Sequence, residues 1–339
     1  MRKKAPSLDQ VLGCIKCYGN LAFLKTKIIC KKCKKEYSII NGIPNFLPKM
    51  DKNKEYQIEI WDDKTYRVDP ETHVFTTIQE HFGNKMLQNI PIPKGGVVVD
   101  IGCFIGEKLW QLKANKDYLG IGVDIAIESL VAAAEIDKYG HKYVAADLEQ
   151  LPFKDNSVDC VLIFDVIEHL SNQEKGYKEV ARILKPGGTF LLHIPIRDNK
   201  YSMFWMKQKL FPESAMKDYL DVGHAPERMM SSAEIKKYLE KYHMKKKWEI
   251  FYNSFFIHFF DRELMKVIGF FVTRVMGKKT IREDEQVREV HQGGLGTVRK
   301  VYGKFVVPTF RVLSFADFFL SKFKIGNTYF VYSEKENDK

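Results

Sequence analysis

Four aspartates stand at the ends of four short apolar runs in the middle of this 339-residue chain. The runs are VVVD, IGVD, VAAD and LIFD, and they end at Asp100, Asp124, Asp147 and Asp165. In an open parallel sheet, ligands bind in the crevice at the carboxyl ends of the strands, so these acids would line one cleft. The first acid leads directly into a glycine-bearing turn, DIGCFIG. This combination predicts a nucleotide-type cofactor site.

A second group of residues that could do chemistry lies near the N-terminus. Cys14 and Cys17 form one C-x-x-C pair, and Cys30 and Cys33 form another after twelve intervening residues. Two such pairs suit a tetrahedral zinc site, because each tight turn supplies two thiolates. Disulfides are the alternative, which a reducing compartment disfavours. Residues 18–29 have the length of a hairpin, and zinc would stabilise a segment of about 45 residues that is too small to fold alone.

The elements that must position the acids alternate along the chain. The pattern predicts strands at 97–102, 118–124, 142–147, 158–164 and 188–195, and helices at about 106–115, 126–138 and 173–184. Strands that alternate with helix-length amphipathic segments are typical of a doubly wound α/β fold. The sequences DNS at 155–157 and KPGG at 185–188 mark two of the turns between elements.

The net charge of +11 is unevenly distributed. Residues 1–50 hold eleven Lys and Arg against two acids, so +9 of the net charge lies on this N-terminal module. The remainder of the chain is nearly neutral. No run of eighteen apolar residues occurs, and the start, MRKKAPSLDQ, lacks the apolar segment of a signal peptide. We therefore expect a cytoplasmic protein without a transmembrane helix.

About residues 10–48 resemble a known class of zinc module. CIKCYGNL followed by CKKCKKEYSIINGIPNFLP is similar to the small zinc-ribbon proteins that partner and activate tRNA and release-factor methyltransferases. Such ribbons also occur fused ahead of methyltransferase domains. The resemblance implies a structural zinc ribbon whose metal is held by the four cysteines.

The alternating region resembles a second family. VVVDIGCFIG, GIGVDIA, VAADLEQLPFKDNSVDCVLIFDVIEHL and VARILKPGGTFLLHIP follow the order and spacing of class I S-adenosylmethionine-dependent methyltransferases. About residues 85–245 look most like the branch typified by quinone-biosynthesis enzymes, the type 11 domain. The resemblance implies a seven-stranded Rossmann-like sheet and S-adenosyl-L-methionine as the cofactor.

The resemblance gives the glycine turn a role. Gly102 and Gly106 would let the backbone pass close to the methionyl part of the cofactor, and Asp100 would shape this turn. The family usually has a glycine where this chain has Phe104. A side chain at that position would narrow the approach to the cofactor or change the turn.

The remaining cofactor contacts that the resemblance implies lie just beyond the next strands. They are Asp124, Ile125, Asp147, Leu148, Phe164 and Asp165. The first pair would bind the ribose, with the carboxylate accepting from both hydroxyls. The second pair would bind adenine through its amino group and its ring. The third pair would border the sulfonium and the incoming acceptor.

Two histidines are candidates for the catalytic base. An oxygen acceptor must lose a proton during methyl transfer, and imidazole is the side chain best suited to accept it near neutral pH. His169 follows Glu168 at the cleft end of the fourth strand, and His224 lies in the segment DVGHAPERMM. The alternatives are a pocket wall, a structural hydrogen bond or, for the Asp-x-x-Glu-His segment, a helix cap or a Mg²⁺ site.

Two insertions would determine the acceptor. Residues 196–222 stand where such enzymes carry a lid, and residues 255–324 contain FFIHFFDRELMKVIGFFVTRVMGKK and FVVPTFRVLSFADFFLSKFK. Amphipathic helices with many phenylalanines and terminal Lys or Arg would lie on a membrane surface or cover an apolar acceptor. The alternative is an extra helical layer packed on the sheet.

The sequence therefore predicts five segments. They are a zinc ribbon at 1–50, lead-in helices at 51–94, the cofactor-binding core at 95–254, the aromatic-rich helical insertion at 255–324, and a closing strand and tail at 325–339.

Three functions are compatible with these observations. The first is a methyltransferase that acts on a small-molecule, lipid-linked or glycan-linked acceptor, with peripheral contact at the inner membrane face through residues 255–324. The second is an rRNA or tRNA base methyltransferase whose basic ribbon docks RNA through lysines and through Tyr18, Phe23 and Tyr37. The third is a non-catalytic scaffold, which only Phe104 favours.

Overall fold

The structure, a computed structural model, describes residues 5–48, 52–61, 78–112, 118–221, 223–264, 312 and 315–337. Within these residues, eleven strands form one sheet. The strands are β1 Leu21–Phe23, β2 Lys27–Cys30, β3 Glu36–Ile40, β4 Ile43–Asn45, β5 Gly96–Ile101, β6 Tyr118–Asp124, β7 Lys142–Ala145, β8 Val158–Phe164, β9 Leu184–Pro195, β10 Met244–Tyr252 and β11 Thr328–Lys335. Their order is β1-β2-β3-β4-β7-β6-β5-β8-β9-β11-β10.

The helices cover both faces of this sheet. They are α1 Leu8–Val11, α2 Lys52–Trp61, α3 Ile78–Gln88, α4 Glu107–Gln111, α5 Ile127–Ile136, α6 Gln173–Ile183, α7 Met203–Leu210, α8 Pro212–Asp221, α9 Ser232–Lys241, α10 Phe256–His258 and α11 Phe315–Ser321. Several begin at side-chain caps that the sequence supplies. The Asn172 side chain accepts the Lys175 N–H at the start of α6, and Ser231 forms a capping box with Glu234 at the start of α9.

The central part of the sheet is the predicted seven-stranded Rossmann-like sheet. Strands β7, β6, β5, β8 and β9 run parallel, and β11 pairs antiparallel with both β9 and β10. Strand β5 is a continuous apolar run because both of its faces are covered. Val97 and Val99 pack in one hydrophobic cluster, while Val98 between them packs in another.

Two strands of the central sheet differ most from the prediction. Strand β9 begins at Leu184 rather than at 188, because Leu184 pairs with Val158 before the register shifts and Thr189 pairs with Cys160. The predicted KPGG turn therefore lies within β9, where it interrupts the pairing with β8 as a bulge. Strand β10 was not predicted; it lies at the edge of the sheet, and its lysine-rich first half is exposed and carries little apolar alternation.

The N-terminal module is a small antiparallel sheet that extends the central one. The predicted hairpin is present as β1 and β2, which pair from Leu21 with Cys30 onward. Strand β4 runs parallel to β7, with Asn45 opposite Ala145, and the Phe46 N–H donates to the Ala145 carbonyl over 2.8 Å. The ribbon therefore covers what would otherwise be the free edge of β7.

The ribbon and the central sheet also share one hydrophobic core. Leu12, Ile28 and Phe46 are fully buried and belong to the same cluster as Phe153 and Val123. A second pairing joins the two parts, because Leu12 forms a bridge with Phe153. The module that the sequence predicts as a separate segment is thus packed against the methyltransferase-like core.

The predicted aromatic-rich insertion falls mostly outside the described residues. Of positions 255–324, residues 265–311 and 313–314 are not described. The described parts are α10, which continues as a π-helical turn over Phe259–Leu264, and α11. Among the helices that the structure describes, none combines the length and the apolar character needed to cross a bilayer.

Candidate active site

The glycine turn lies between β5 and α4. Gly102 has a φ of +72°, and a Cβ at this position would lie 2.2 Å from Val166 Cγ2. Gly106 has a φ of +85°, and a Cβ there would lie 2.7 Å from the Tyr143 hydroxyl. Phe104 also adopts the left-handed conformation, with a φ of +49°, where glycine is ordinarily favoured. The turn therefore keeps a glycine-like backbone despite the side chain.

Asp124 ends β6 and is fixed by two backbone groups. Its Oδ2 accepts the Phe104 N–H over 2.8 Å, and its Oδ1 accepts the Ala126 N–H over 3.0 Å. These two bonds fix the direction of the carboxylate in the wall of the cavity. Ile125 follows it in the wall of the same cavity.

Asp147 follows β7 and holds a lysine. Its Oδ1 accepts the Glu149 N–H over 2.9 Å, while Lys54 Nζ lies 2.5 Å from its Oδ2. Both side chains are largely buried, and Lys54 Nζ is also 3.6 Å from Glu149 Oε1. The predicted adenine end of the cleft therefore includes a cation from α2, which the sequence did not indicate.

Helix α2 reaches from this end of the cleft to the histidines. The Asn53 amide donates to the His169 carbonyl over 2.7 Å, and the Gln57 amide donates to the Gly223 carbonyl over 3.2 Å. Because Lys54 lies between these two residues on the same helix, α2 forms a strap across the cavity.

Phe164 and Asp165 end β8 beside a histidine of β9. Asp165 has a φ of +54°, its N–H donates to the His193 carbonyl, and its Oδ1 lies 2.9 Å from His193 Nδ1. Burial works to raise the pKa of Asp165, but His193 outweighs this effect and holds that pKa below its ordinary value. The Phe164 ring stacks on His193 with centroids 5.4 Å apart. The predicted sulfonium end thus contains a carboxylate–imidazole pair.

The two predicted histidines lie together. The rings of His169 and His224 have centroids 5.0 Å apart, and His224 Nε2 is 3.4 Å from Glu168 Oε1. Burial raises the pKa of Glu168 to about 7 and lowers the pKa of His169 below its ordinary value. His169 is therefore neutral at physiological pH, as a proton acceptor must be.

One cavity of about 640 Å³ connects these groups. Nine of the predicted residues line it: Gly102, Asp124, Ile125, Asp147, Leu148, Phe164, Asp165, His169 and His224. Asp100 and Gly106 do not. Asp100 is 1% exposed, and burial raises its pKa to about 7. Gly106 instead gives room to Tyr143, as described above.

Several residues of the cavity wall were not predicted from the sequence. His193, Lys54, Phe204, Tyr219 and Tyr252 all line it. The signal for His193 was present, since it is a lone imidazole within the apolar strand LLHIP. The lid prediction included the segment of Phe204 and Tyr219 without naming them. Nothing in the local sequence distinguishes Lys54 from an ordinary surface lysine of a helix.

The four ribbon cysteines form a separate cluster. Cys14 Sγ lies 3.6 Å from Cys33 Sγ, and Cys17 Sγ lies 3.5 Å from Cys30 Sγ. A tetrahedron of sulfurs each about 2.3 Å from zinc has edges of about 3.8 Å, so the cluster fits that ion. Burial works against ionisation of Cys14, but hydrogen bonds from the Tyr37 hydroxyl and the Lys16 N–H lower the pKa of its thiol to about 6.

Two of the three ribbon aromatics are already engaged. The Tyr37 ring is buried and lies 4.7 Å from the Phe46 ring, centroid to centroid. The Arg182 guanidinium lies 4.5 Å from the centre of the Tyr18 ring. These rings hold the ribbon together and attach it to α6, and Phe23, the third predicted stacking ring, is partly buried and packs against the shared core.

Comparison with known proteins identifies the class of the central region. Residues 99–192 match the family described as methyltransferase domain. The predicted motifs lie mostly in this segment. The segment is part of the seven-stranded sheet described above. This part of the chain is a class I S-adenosylmethionine-dependent methyltransferase domain.

Similar sequences include enzymes with different acceptors. The chain is 34% identical over 116 residues to sterol 24-C-methyltransferase of Aspergillus fumigatus, covering 33% of this chain and 30% of the relative. It is 31% identical over 142 residues to probable tRNA methyltransferase 9B of Mus musculus, covering 41% of this chain and 30% of the relative. The chain thus matches less than a third of the length of either relative.

A solved structure has the same fold. Phosphoethanolamine N-methyltransferase 2 of Haemonchus contortus, in complex with S-adenosyl-L-methionine, superposes with a TM-score of 0.51 and 16% identity. The match covers 85% of this chain and 61% of that one. At this level of identity the likeness concerns the fold.

Proposed function

We propose that this protein transfers the methyl group of S-adenosylmethionine to a small or lipid-linked acceptor. The observation that carries the proposal is the single cavity at the carboxyl ends of β5, β6, β7 and β8. Acids at three of these strand ends, Asp124, Asp147 and Asp165, line it together with Gly102. Ligands of open α/β sheets bind at this edge.

The cofactor would lie along these strand ends. Asp124, already oriented by two N–H groups, accepts the ribose hydroxyls, and Asp147 with Leu148 binds adenine. Phe164 and the Asp165–His193 pair border the sulfonium. When bound, the cofactor supplies a methyl group on a good leaving group, so the protein has mainly to align the acceptor and exclude water, an effect worth roughly 7–11 kcal/mol.

His169 and His224 would remove a proton from an oxygen or nitrogen acceptor. Their rings lie side by side in the cavity wall, and buried Glu168 is close to His224. The lowered pKa of His169 keeps it ready to accept a proton at neutral pH. After transfer, Glu168 would stabilise the imidazolium.

The acceptor end of the cavity favours an apolar or aromatic molecule. Phe164, Phe204, Tyr219 and Tyr252 line it, and Met229 adds a further apolar contact. Such a wall excludes water and stacks on a ring or an isoprenoid chain. A small quinone-like ring and a polyprenyl-linked intermediate both have this chemistry.

The test is cofactor binding followed by product analysis. Calorimetry should detect binding of S-adenosylmethionine to the wild type, and Asp124→Ala should weaken it at least about tenfold, because two hydrogen bonds to a charged group are lost. Asp124→Asn is the conservative variant, which separates a loss of binding from a folding defect. Asp9→Ala, which removes an exposed acid of the ribbon, should bind the cofactor normally. Absence of binding by the wild type, or normal binding by both Asp124 variants, contradicts the proposal.

The acceptor class is then found with labelled cofactor and fractionated cell extract. Label in the lipid or small-molecule fraction supports the proposed acceptor. Label in the RNA fraction supports the second candidate, a tRNA or rRNA methyltransferase. That candidate rests on the exposed ribbon lysines at positions 25, 31, 32, 34 and 35. It further requires that the full-length protein bind RNA with a steep salt dependence.

We further propose that the ribbon holds one structural zinc ion. The support is the sulfur geometry and the hydrogen bond between Tyr37 and Cys14, which favours a thiolate. Metal analysis of the purified protein should find about one zinc per chain, as expected for a four-cysteine site. If the double variant Cys14→Ser with Cys33→Ser still retained zinc, this assignment would be contradicted.

A further inference from the structure

The lid of the cavity is a helical hairpin with two different faces. Helices α7 and α8 are joined by Phe211 alone and run antiparallel, since the Phe204 ring meets the Tyr219 ring and Lys207 pairs with Asp218. Phe204 and Tyr219 line the cavity. The inner face of the hairpin is therefore the roof of the acceptor end.

The outer face of this hairpin is apolar and exposed. Its side chains are 42% to 66% exposed and consist of Met206, Leu210, Phe211, Met216 and Leu220. We call these five residues the outer lid face. On each helix they stand four positions apart, which places them on one side. Exposed apolar side chains grouped in this way on a helical hairpin are typical of a binding surface for another apolar body.

The charges around the outer lid face are mostly positive. The exposed charged side chains of residues 200–220 and 315–324 are Lys200, Lys209, Lys217, Lys322, Lys324 and Glu213. The other two acids of these segments are buried. Asp218 is buried and paired with Lys207, and Asp317 is buried and accepts backbone N–H groups. These two segments therefore combine exposed apolar side chains with five exposed cations and one exposed anion.

Helix α11 and the turn that follows it carry a second row of exposed apolar side chains. Phe315, Phe319 and Phe323 stand four positions apart and are exposed. Asp317 on this helix accepts N–H groups of residues 255–257, and α7 is bonded to the same segment because the Met203 N–H donates to the Ser254 carbonyl. The two helical elements are thus connected through the start of α10.

We propose that the outer lid face, together with the phenylalanines of α11, docks on an anionic lipid bilayer. Apolar side chains enter the boundary between headgroups and acyl chains, while the surrounding lysines attract anionic headgroups. The charge of the surface favours this occupant over a protein interface, whose centre is depleted of lysine. Because the opposite face of the same hairpin roofs the acceptor end, a bilayer-held acceptor reaches the cavity beneath the lid.

This inference deepens the proposed function, since it supplies the source of a lipid-linked acceptor. The test is co-sedimentation of the full-length protein with phosphatidylcholine vesicles that contain phosphatidylglycerol. We expect binding that falls with added salt and is much weaker with pure phosphatidylcholine. Leu210→Ser with Phe211→Ser should reduce partitioning about tenfold or more, because two inserted side chains are lost. Lys209→Glu with Lys217→Glu should reduce it about tenfold.

The matched control is Leu24→Ser with Tyr139→Ser, two exposed apolar residues far from the lid in sequence. It should bind vesicles like the wild type. Wild type that fails to sediment, or lid variants that sediment normally, would overturn the proposal. A wild-type dimer that dissociates in the lid variants without vesicle binding would overturn it too, by assigning the surface to self-association.

Cofactor binding measured on the same preparations separates the two proposals. Lid variants that bind S-adenosylmethionine normally but not vesicles support the surface. A protein that binds vesicles through the lid but does not bind the cofactor would support the bilayer-docking surface and contradict the proposed methyltransferase activity.

Discussion

Asp100 and Asp124 lie one strand apart and have opposite environments. Asp124 accepts two backbone N–H groups at the cavity edge. Asp100 is buried inside the sheet, and among the described residues its Oδ2 has no hydrogen-bond donor. Burial raises the pKa of Asp100 to about 7, so its carboxyl is mostly protonated in the folded protein below that pH.

This environment predicts a pH-dependent stability. The folded pKa of Asp100 lies above the unfolded value, so charging the group costs stability as pH rises from about 4 through about 7. Between pH 5 and pH 8 the wild type should lose on the order of 2 kcal/mol that Asp100→Asn does not lose. Urea unfolding at the two pH values measures this. Asp9→Asn, at an exposed site, should behave as the wild type; an equal slope in Asp100→Asn would refute the prediction.

Lys54 is expected to hold helix α2 at the cavity through its ion pair with Asp147. Its ammonium contacts the nearly buried carboxylate of Asp147. Lys54→Met would leave that charge unpaired and should lower the free energy of unfolding by about 3 kcal/mol. In a double-mutant cycle, Lys54→Met with Asp147→Asn should cost less than the sum of the single changes. Strict additivity in denaturant unfolding would mean that the two groups do not interact.

At the scale of elements, one acid connects two segments far apart in sequence. Asp317 of α11 is fully buried, and its oxygens accept the N–H groups of Phe255, Phe256 and Ile257 over 2.9 to 3.3 Å. It therefore acts as an N-terminal cap for α10 supplied by another helix.

Removing this cap should loosen α10. Asp317→Ala leaves several N–H groups without their acceptor, at a cost of about 2–4 kcal/mol. Hydrogen exchange should show faster exchange of the amides of residues 255–257, while the amides of β5 stay protected. Asp317→Asn, which keeps an acceptor oxygen, should be intermediate. Unchanged exchange in Asp317→Ala would show that the cap contributes nothing.

Elements were predictable to different degrees for physical reasons. Strand β5 was clear because a strand buried on both faces must be continuously apolar. Strand β10 was missed because it lies at the sheet edge, where exposed lysines replace the apolar side chains. The start of β9 was placed too late because Gly187, with a φ of +73°, has the signature of a turn, although Leu184 before it and Thr189 after it both pair with β8.

At the scale of the whole molecule, the ribbon and the methyltransferase domain form one sheet and share one core. The ribbon contacts the loop after β7 directly, since the Gln150 amide donates to the Ile15 carbonyl over 3.2 Å. That loop begins with Asp147 and Leu148 of the cavity wall. The cluster of four cysteines is therefore connected through this loop to the proposed adenine end.

Zinc removal should consequently affect the whole protein. A strong chelator, or Cys14→Ser with Cys33→Ser, should lower the melting temperature in a single transition and weaken S-adenosylmethionine binding, because the shared core loses its ribbon part. Scanning calorimetry and titration measure the two effects. Cys160→Ala, at a buried cysteine outside the ribbon, should keep its zinc. Two separate transitions with unchanged cofactor binding would show independent domains.

Local sequence patterns were enough to predict the class of fold and the cofactor, and they also predict the zinc ligands proposed above. These depend on local patterns, because a buried strand ending in an acid, a glycine turn and a pair of C-x-x-C motifs are each written in a few adjacent residues. Only the tertiary structure brought Lys54 to Asp147, His193 to Asp165 and the ribbon to the edge of β7. These contacts join residues from about 28 to 100 positions apart, and their energies depend on burial and geometry that no local pattern specifies. The outer lid face also depends on the tertiary structure, because the exposed side of α7 and α8 is decided by which side packs over the cavity.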